Sequence, residues 1–292
     1  MIKEIVAKTL VTRVRGLDTY FGLDYGMNLY RGCQHHCIYC DSRSRCYEIE
    51  NFDRDVLIKA NAVERLRDEL PRKRKRGIIG TGSMNDPYMP LEEQTELTRR
   101  ALDTIADFGF GAHVITKSDL VLRDIPVLQR INRTHRAIVS LTVTTIDDEL
   151  SKKLEPGAPA SSVRFRALRR LSDAGIEARI ALMPVLPFIE DTWENISAII
   201  EEARRCGVRA IVAWFGMSMR DRQRDHFYAR LDELFPELRT RYEEAFGRDY
   251  MCPAPRAEAL FARFSACCAQ HGISTSVQPH LLPDSKQLPL FG

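Results

Sequence analysis

The stretch Cys33-Gln34-His35-His36-Cys37-Ile38-Tyr39-Cys40 places three cysteines within eight residues, separated by three residues and then by two. A short apolar run at 27–30 and then Gly32 precede it. Such a loop can turn three thiolates toward one point. A closed structural zinc site takes four protein ligands, so three ligands leave one coordination position free for chemistry. Iron–sulfur clusters are held by cysteine thiolates in closely spaced runs of this type.

The composition is that of an ordinary soluble globular protein. The chain has 292 residues, of which 44% are hydrophobic and 28% are charged, which suits one large α/β domain or two smaller ones. We find no run of about eighteen apolar residues, so no membrane span is expected. The first residues carry acids and do not resemble a signal peptide. Eight cysteines without an export signal predict a reducing, cytoplasmic location.

Strand-like and helix-like runs alternate from residue 27 to residue 215. Strands are predicted at 77–80, 112–116, 137–143, 178–182 and 208–215, and helices at 55–70, 91–108, 121–131, 161–173 and 193–206. This alternation favours a parallel sheet. Six βα units fit, and a closed TIM barrel needs eight. The predicted fold is therefore α/β, a partial (β/α)6 TIM-type barrel with a C-terminal helical cap, with the cysteine loop at the carboxyl rim.

The chain divides into four predicted segments. They are an N-terminal extended segment (1–25), the partial barrel (26–218), a C-terminal helical extension (219–280) and a flexible tail (281–292). Two long amphipathic helices are predicted in the extension, around 228–246 and 257–268. Gly175 and Gly207 predict left-handed helix ends. Asp191 and Glu194 predict a capping box at the start of the helix that lies between Gly175 and Gly207.

The cysteine spacing, with an aromatic residue just before the last cysteine, resembles that of the radical S-adenosylmethionine (SAM) enzymes. Four segments resemble more narrowly the spore-photoproduct-lyase-like branch of that superfamily, over roughly residues 20–280. They are NLYRGCQHHCIYC (28–40), GTGSMNDPY (80–88), ITKSDLVLRDI (115–125) and MPVLPFIED (183–191).

The resemblance implies a cofactor pair. Cys33, Cys37 and Cys40 would each bind one iron of a [4Fe–4S] cluster, and SAM would bind the fourth iron. An electron from an external donor would cleave SAM to a 5′-deoxyadenosyl radical, which abstracts hydrogen from a substrate. From spacing alone a zinc site remains open, with His35, His36 or Cys46 as a fourth ligand.

The resemblance also implies SAM contacts at the ends of the strands. Ser83 or Asn85 would contact the amino group, Lys117 the carboxylate, Ser140 the ribose and Tyr39 the adenine. Each has a plainer alternative: a glycine turn at 80–86, a surface lysine, a serine bonded to its neighbour on the sheet, and loop packing of the tyrosine.

One departure from the branch concerns the reaction. Photoproduct lyases use a cysteine in the loop after the second strand as a hydrogen donor. The corresponding position here is near Met84, and no cysteine occurs between Cys46 and Cys206. The same lesion chemistry is therefore not expected.

Partners are indicated by charge and by the tail. The net charge is +3, and basic residues concentrate in the run 72–76 and at Arg220, Arg222, Arg224 and Arg230. Such clusters can bind nucleic acid, or they can be solvated helix ends. The tail Gln287 to Phe291 resembles the peptide by which bacterial DNA-processing proteins bind the sliding clamp, or it packs on its own domain.

The sequence therefore predicts a radical SAM enzyme that acts on nucleic acid, in repair or modification. Two alternatives stay open: a radical SAM enzyme acting on a peptide or small molecule, and a zinc-binding interaction protein without radical chemistry.

Overall fold

The computed structural model describes residues 1–16, 18, 20–82 and 84–276. In chain order the strands are β1 (Ile2–Ile5), β2 (Thr12–Arg13), β3 (Tyr25–Gly26), β4 (Tyr30–Arg31), β5 (Val56–Lys59), β6 (Ile78–Thr81), β7 (Gly111–Thr116), β8 (Ala137–Thr142), β9 (Glu177–Val185), β10 (Ala210–Ser218) and β11 (Met251–Pro253).

The α-helices lie mostly between these strands. They are α1 (Ala62–Glu69), α2 (Glu92–Thr95), α3 (Leu97–Asp107), α4 (Ile125–Asn132), α5 (Asp148–Leu154), α6 (Ser161–Asp173), α7 (Trp193–Arg205), α8 (Asp221–Leu234), α9 (Leu238–Phe246) and α10 (Ala257–Gln270). Four 3-10 helices lie at Asp41–Arg43, Arg45–Tyr47, Leu70–Arg72 and Asp119–Asp124.

Six parallel strands form the centre of the main sheet, in the order β3-β6-β7-β8-β9-β10. The antiparallel strands β2 and β11 lie at its two edges, so the described sheet is open. Every residue of β8 is buried, as expected for a parallel strand covered on both faces. The predicted partial (β/α)6 barrel is confirmed.

A second, small sheet joins the start of the chain to the segment after the cysteines. Its order is β1-β5-β4, with β1 parallel to β5 and β4 antiparallel to it. The prediction of one helix over 55–70 is therefore wrong in its first part. The run Val56–Lys59 contains valine and isoleucine, which suit a strand, and its partner lies more than fifty residues away in the chain. Local periodicity does not reveal such a partner.

Two other predicted helices are interrupted. The helix predicted at 91–108 breaks at Glu96, whose φ is 44°. The buried carboxylate of Glu92 accepts a hydrogen bond from the backbone N–H of Thr98, at 3.0 Å, and so satisfies the start of α3. The helix predicted at 228–246 breaks between α8 and α9 around Pro236, which lacks the N–H that a continuous helix requires.

The left-handed helix ends predicted at Gly175 and Gly207 are correct, and the capping box predicted at Asp191 is wrong. Gly175 and Gly207 have φ values of 76° and 73°. The residue that caps α7 is Thr192 rather than Asp191, because the Thr192 hydroxyl accepts the backbone N–H of Asn195 at 3.3 Å. The helix α5 was not predicted at all, although Asp147 caps it by accepting from Glu149 and Leu150.

The C-terminal helices cover two different parts of the barrel. Helices α8 and α9 pack their apolar residues against the cysteine loop, in one cluster with Cys37, Ile38 and Tyr39. Helix α10 packs against α7 and β10, where the rings of Phe264 and Phe215 lie 5.6 Å apart. None of the helices in the described residues has the length and apolar character needed to cross a membrane. The tail predicted to bind a sliding clamp lies outside the described residues.

The helix cap provides a direct test of this fold. Thr192→Ala should lower the free energy of unfolding by about 1 kcal/mol, because it removes the hydroxyl that satisfies the first turn of α7. Thr192→Ser is the matched control and should retain most of the stability. Denaturant unfolding measures both. A larger loss in Asp191→Ala than in Thr192→Ala would contradict the observed cap.

Candidate functional site

The cysteine loop leaves the barrel after β3 and the short strand β4. Gly32 makes the turn into it, with φ of 86°, and a Cβ atom there would lie 2.3 Å from the carbonyl oxygen of Asp55. Only glycine allows this approach. The loop then runs back over the carboxyl ends of the parallel strands, where barrel enzymes place their chemistry.

The three thiols lie close together and are largely shielded from water. Cys37 is buried, and Cys33 and Cys40 are half-buried. Burial is the main cause that raises the pKa of all three, and raises that of Cys33 to about 12. Cys33 and Cys37 each feel the charge of Cys40, which raises their pKa further, while Lys117 acts in the opposite direction on Cys37 and Cys40. The thiols therefore need a positive centre to become thiolates.

The buried carboxylate of Asp86 ties the cysteine loop to the barrel. One oxygen accepts from the hydroxyl of Thr116 at 2.6 Å and from the backbone of Tyr88 at 2.8 Å. The other accepts from the backbone of Lys117 at 2.7 Å and lies 3.0 Å from Nε2 of His35. Burial works to raise the pKa of Asp86, but His35 and these donors outweigh it and lower the pKa to about 2. Asp86 therefore stays ionised.

A second buried carboxylate, Glu155, joins the loop to two cations. It accepts from the hydroxyl of Tyr39. Nη2 of Arg164 lies 2.5 Å from one of its oxygens, and Nζ of Lys117 lies 3.7 Å from the other. The Lys117 ammonium also lies 5.8 Å from the centre of the Tyr39 ring. Burial acts to lower the pKa of Lys117, but Cys37 and Glu155 outweigh it, so the net shift is upward and the side chain is charged.

Two cations, Lys117 and Arg164, and two ionised carboxylates, Asp86 and Glu155, lie in this buried site. Lys117 and Arg164 share the single carboxylate of Glu155. The nearby Glu190 is fully buried, and burial raises its pKa to about 8, so it is mostly neutral at pH 7. Lys117, which shares Glu155 with Arg164, is therefore suited to a further anionic group, such as a carboxylate.

The end of β6 offers polar atoms without partners. Both amide atoms of Asn85 and the hydroxyl of Thr81 are buried and unpaired among the described residues, and such groups usually find a partner. Ser83 lies outside the described residues. The glycine expected to admit a ligand, Gly82, instead admits backbone, because a Cβ there would lie 2.0 Å from the carbonyl oxygen of Ile115.

Ser140 is buried in the main sheet. It lies two residues before the end of β8, and its hydroxyl lies 2.7 Å from Nε2 of His113 on β7. This hydrogen bond to β7 agrees with the alternative of a serine bonded to its neighbour on the sheet, except that its partner is the His113 side chain and not a backbone group.

The residues proposed as a fourth zinc ligand are engaged elsewhere. Nδ1 of His35 lies 2.9 Å from the carbonyl oxygen of Gly157, and Nδ1 of His36 lies 3.4 Å from Asp53. Cys46 is exposed and lies 3.7 Å from Nη1 of Arg220. Among the residues that the structure describes, no three His, Cys, Asp or Glu side chains are arranged around a single ion. In a [4Fe–4S] cluster each thiolate would bind a different iron.

Sequence reasoning missed Asp86, Glu155, Arg164 and Glu190. Asp86 lies inside the segment 80–88 that carries the resemblance, so the segment was found without the residue that organises it. Glu155 lies in a loop that was predicted only as polar, and Arg164 lies in the helix predicted after that loop. The role of Glu155 depends on contacts to Tyr39 and Lys117, which are 116 and 38 positions away in the chain, and spacing does not show such contacts.

The two basic regions lie at opposite ends of the barrel. The run 72–76 comes just before β6 and therefore lies at the amino ends of the strands, where Lys73 donates to the carbonyl of Val11 and Lys75 pairs with Asp24. It cannot contribute to a surface beside the thiols. Arg220 and Arg222 contact Asp41 and the backbone of residues 49 and 50, next to the cysteine loop.

Three thiols on one loop at the carboxyl rim of a six-stranded parallel partial barrel suit an iron–sulfur cluster held by cysteines. The model of the Radical SAM superfamily matches residues 27–197, which is more than half of the chain. The chain belongs to the radical SAM superfamily.

Two curated relatives and one solved structure show how far the similarity extends. An uncharacterized protein of Mycobacterium tuberculosis is 28% identical over 282 residues, covering 94% of this chain and 82% of the relative. An uncharacterized protein of Methanocaldococcus jannaschii is 34% identical over 172 residues, covering 58% of this chain and 63% of the relative. Spore photoproduct lyase complexed with dinucleoside spore photoproduct superposes with a TM-score of 0.68 at 15% identity, covering 94% of this chain and 81% of that chain.

These similarities establish the class of activity and the fold. The chain is a radical SAM enzyme, and its cofactors are a [4Fe–4S] cluster and SAM. Its fold is that of spore photoproduct lyase. The zinc-binding alternative loses its support.

The buried Glu190 predicts a pH effect on stability. In the folded protein the Glu190 side chain keeps its proton up to about pH 8, because its pKa is raised. In the unfolded chain it loses the proton near the usual glutamate pKa of 4.5. Stability therefore falls as the pH rises through that window. Relative to Glu190→Gln, the wild type should lose more than about 1 kcal/mol of unfolding free energy between pH 5 and pH 8.5.

Denaturant unfolding of both proteins at these two pH values makes the comparison. The variant keeps the shape of the side chain and can still bond Thr144 and the backbone of Leu186. A difference between the two proteins that does not change with pH would show that Glu190 does not titrate in this range.

Proposed function

We propose that this chain is a radical SAM enzyme that acts on nucleic acid, in repair or modification. The observation that carries the radical chemistry is the group of three thiols beside the network of Lys117, Glu155 and Arg164. The substrate class is supported by the fold it shares with a lyase that was solved with a dinucleoside, and by the arginines next to the cysteine loop.

The residues present fit the two cofactors. Cys33, Cys37 and Cys40 would hold the cluster, and the charge of Lys117 would act on the thiolates of Cys37 and Cys40. Together the two cofactors supply, on reduction by an external electron donor, a carbon radical able to abstract hydrogen. The protein supplies the position of that chemistry and keeps water out of it.

Lys117 and Asn85 are the residues that we assign to SAM. The Lys117 ammonium is held at its place by Glu155 and would neutralise the SAM carboxylate. Asn85 has an unpaired amide oxygen that would accept from the SAM amino group. Tyr39, fixed by its bond to Glu155, would pack against the adenine. Ser83 would add a second contact to the amino group.

Helices α8 and α9 close the site on one side. Gln223 of α8 is fully buried and donates to the carbonyl of Tyr39 at 3.0 Å and to that of Ser218 at 2.8 Å. The helical cap therefore fixes the backbone of the cysteine loop directly. It also buries Ile38 and Cys37 among its aromatic residues, which excludes water from that side of the thiols.

Lys117→Met tests the assignment to SAM. Removing the ammonium should weaken SAM binding by roughly tenfold or more, because a hydrogen bond to a charged group is lost. Equilibrium dialysis on anaerobically reconstituted protein measures the affinity, with the iron content determined for each sample. Lys152→Met removes a surface lysine that pairs only with Glu149 and should bind SAM as the wild type does. Equal affinity of the Lys117 variant and the wild type would contradict the assignment.

Nucleic acid as the substrate class is tested with the reconstituted wild type. For DNA and RNA oligonucleotides, the logarithm of the binding affinity should fall linearly with the logarithm of the salt concentration. An oligonucleotide that contains the substrate feature should also increase the formation of 5′-deoxyadenosine. Cys37→Ser, which lacks one of the three thiols, should form none. Binding that does not respond to salt, with no effect of any oligonucleotide on SAM cleavage, would contradict nucleic acid as the substrate.

A further inference from the structure

A groove of about 290 Å³ lies beside the cysteine loop, between residues 43–54 and helix α8. Nothing in the site described above uses it. It is lined by arginines, acids, one aromatic residue and one histidine: Arg43, Glu50, Asn51, Phe52, Asp53, Arg54, Arg222 and His226.

Arg43 forms the buried floor of this groove. Its side chain is only 6% exposed, and its guanidinium lies 4.8 Å from the centre of the Phe52 ring. Nη1 and Nη2 donate to the two oxygens of Asp53, at 2.8 and 2.5 Å. Its Nε is buried and has no partner among the described residues. A buried donor without an acceptor indicates that an acceptor belongs there.

Arg222 forms the opposite wall and repeats this feature. Nη1 and Nη2 donate to the backbone carbonyls of Glu50 and Ile49, each at 3.3 Å, which holds the guanidinium in place. Its Nε is also buried without a partner. No carboxylate pairs with Arg222 or with Arg54 in the part of the chain that the structure describes.

The groove therefore carries a positive surplus. Arg43 and Asp53 neutralise each other, and the hydrogen bonds from Arg43 are the main cause that lowers the pKa of Asp53. Arg54 and Arg222 remain, against the exposed carboxylate of Glu50 alone. Arginine with free N–H groups in a fixed plane matches the oxygens of a phosphate.

The groove adjoins the thiols. The backbone N–H of Arg43 donates to the carbonyl of Cys40 at 3.2 Å. His36, inside the cysteine loop, lies 3.4 Å from Asp53. A ligand in the groove would therefore lie on the same face as the chemistry.

We propose that this groove is a phosphate-binding subsite, in which Arg222 and Arg54 hold one backbone phosphate of a nucleic-acid substrate next to the cluster. This inference rests on the proposed function and deepens it by naming the residues that would fix the strand at the reacting site.

The experiment measures binding of one oligonucleotide to the reconstituted protein across a series of salt concentrations. The double variant Arg222→Gln/Arg54→Gln should reduce the slope of log affinity against log salt by about one, since the contact to one phosphate is lost, and each single variant should reduce it by part of that amount. Affinity at low salt should fall by roughly fivefold or more. Arg54 is exposed and forms no described ion pair, so its variant keeps the test valid if Arg222→Gln unfolds.

Arg230→Gln is the matched control. Arg230 lies on the same helix α8, pairs with Glu233 and does not line the groove, so its variant should keep the wild-type slope. Wild-type slopes in both the Arg222 and Arg54 variants would overturn the subsite while leaving the proposed function intact. A wild type that binds no oligonucleotide would instead overturn the proposed function.

A third measurement separates a strand from a free nucleotide. A nucleoside 5′-monophosphate should bind much more weakly than the oligonucleotide, because it lacks the contacts on either side of the bound phosphate. Equal affinities for the two, both lost in Arg222→Gln, would overturn the assignment to a strand and indicate a mononucleotide site.

Discussion

The arrangement of the whole site depends on the carboxylate of Asp86. It is buried and ionised. It accepts hydrogen bonds from Tyr88 in its own loop and from Thr116 and Lys117 at the end of β7, and it lies against His35 of the cysteine loop. A buried charge of this kind is tolerated only when its neighbours satisfy it completely. Its position therefore fixes the loop relative to β7, and with it the distance between the thiols and Lys117, which is the next residue after Thr116.

Glu155 repeats the principle on the other side of the loop. Asp86 is satisfied mainly by hydrogen bonds and by His35, whereas Glu155 is shared by two cations. The first carboxylate holds the loop in place, and the second sets the electrostatic potential at the thiols. Burial keeps that potential strong, because little water is present to screen it. The site is thus preorganised for negative charge before any ligand arrives.

The sequence predicted the features that depend on local pattern. The six parallel strands and the glycine ends at Gly175 and Gly207 follow from periodicity, and the family follows from the resemblance carried by the motif of Cys33, Cys37 and Cys40. It could not predict β5, because the partner of Val56–Lys59 is the beginning of the chain. It missed Glu155 for the same reason, since Tyr39 and Lys117 are distant in the chain. The break at Glu96 depends on the buried position of Glu92, and burial is a property of the folded chain.

The order of the strands in the main sheet has a consequence for how the molecule assembles. From β6 to β10, every strand pairs with the one that precedes it in the main sheet. Each new strand therefore joins the strand made before it, across the connection of a single βα unit, and the sheet can grow during translation from its amino-terminal side. Helix α8, which covers the cysteines, is translated after this sheet. Until it docks, the thiols face an uncovered side through which iron and sulfide can reach them.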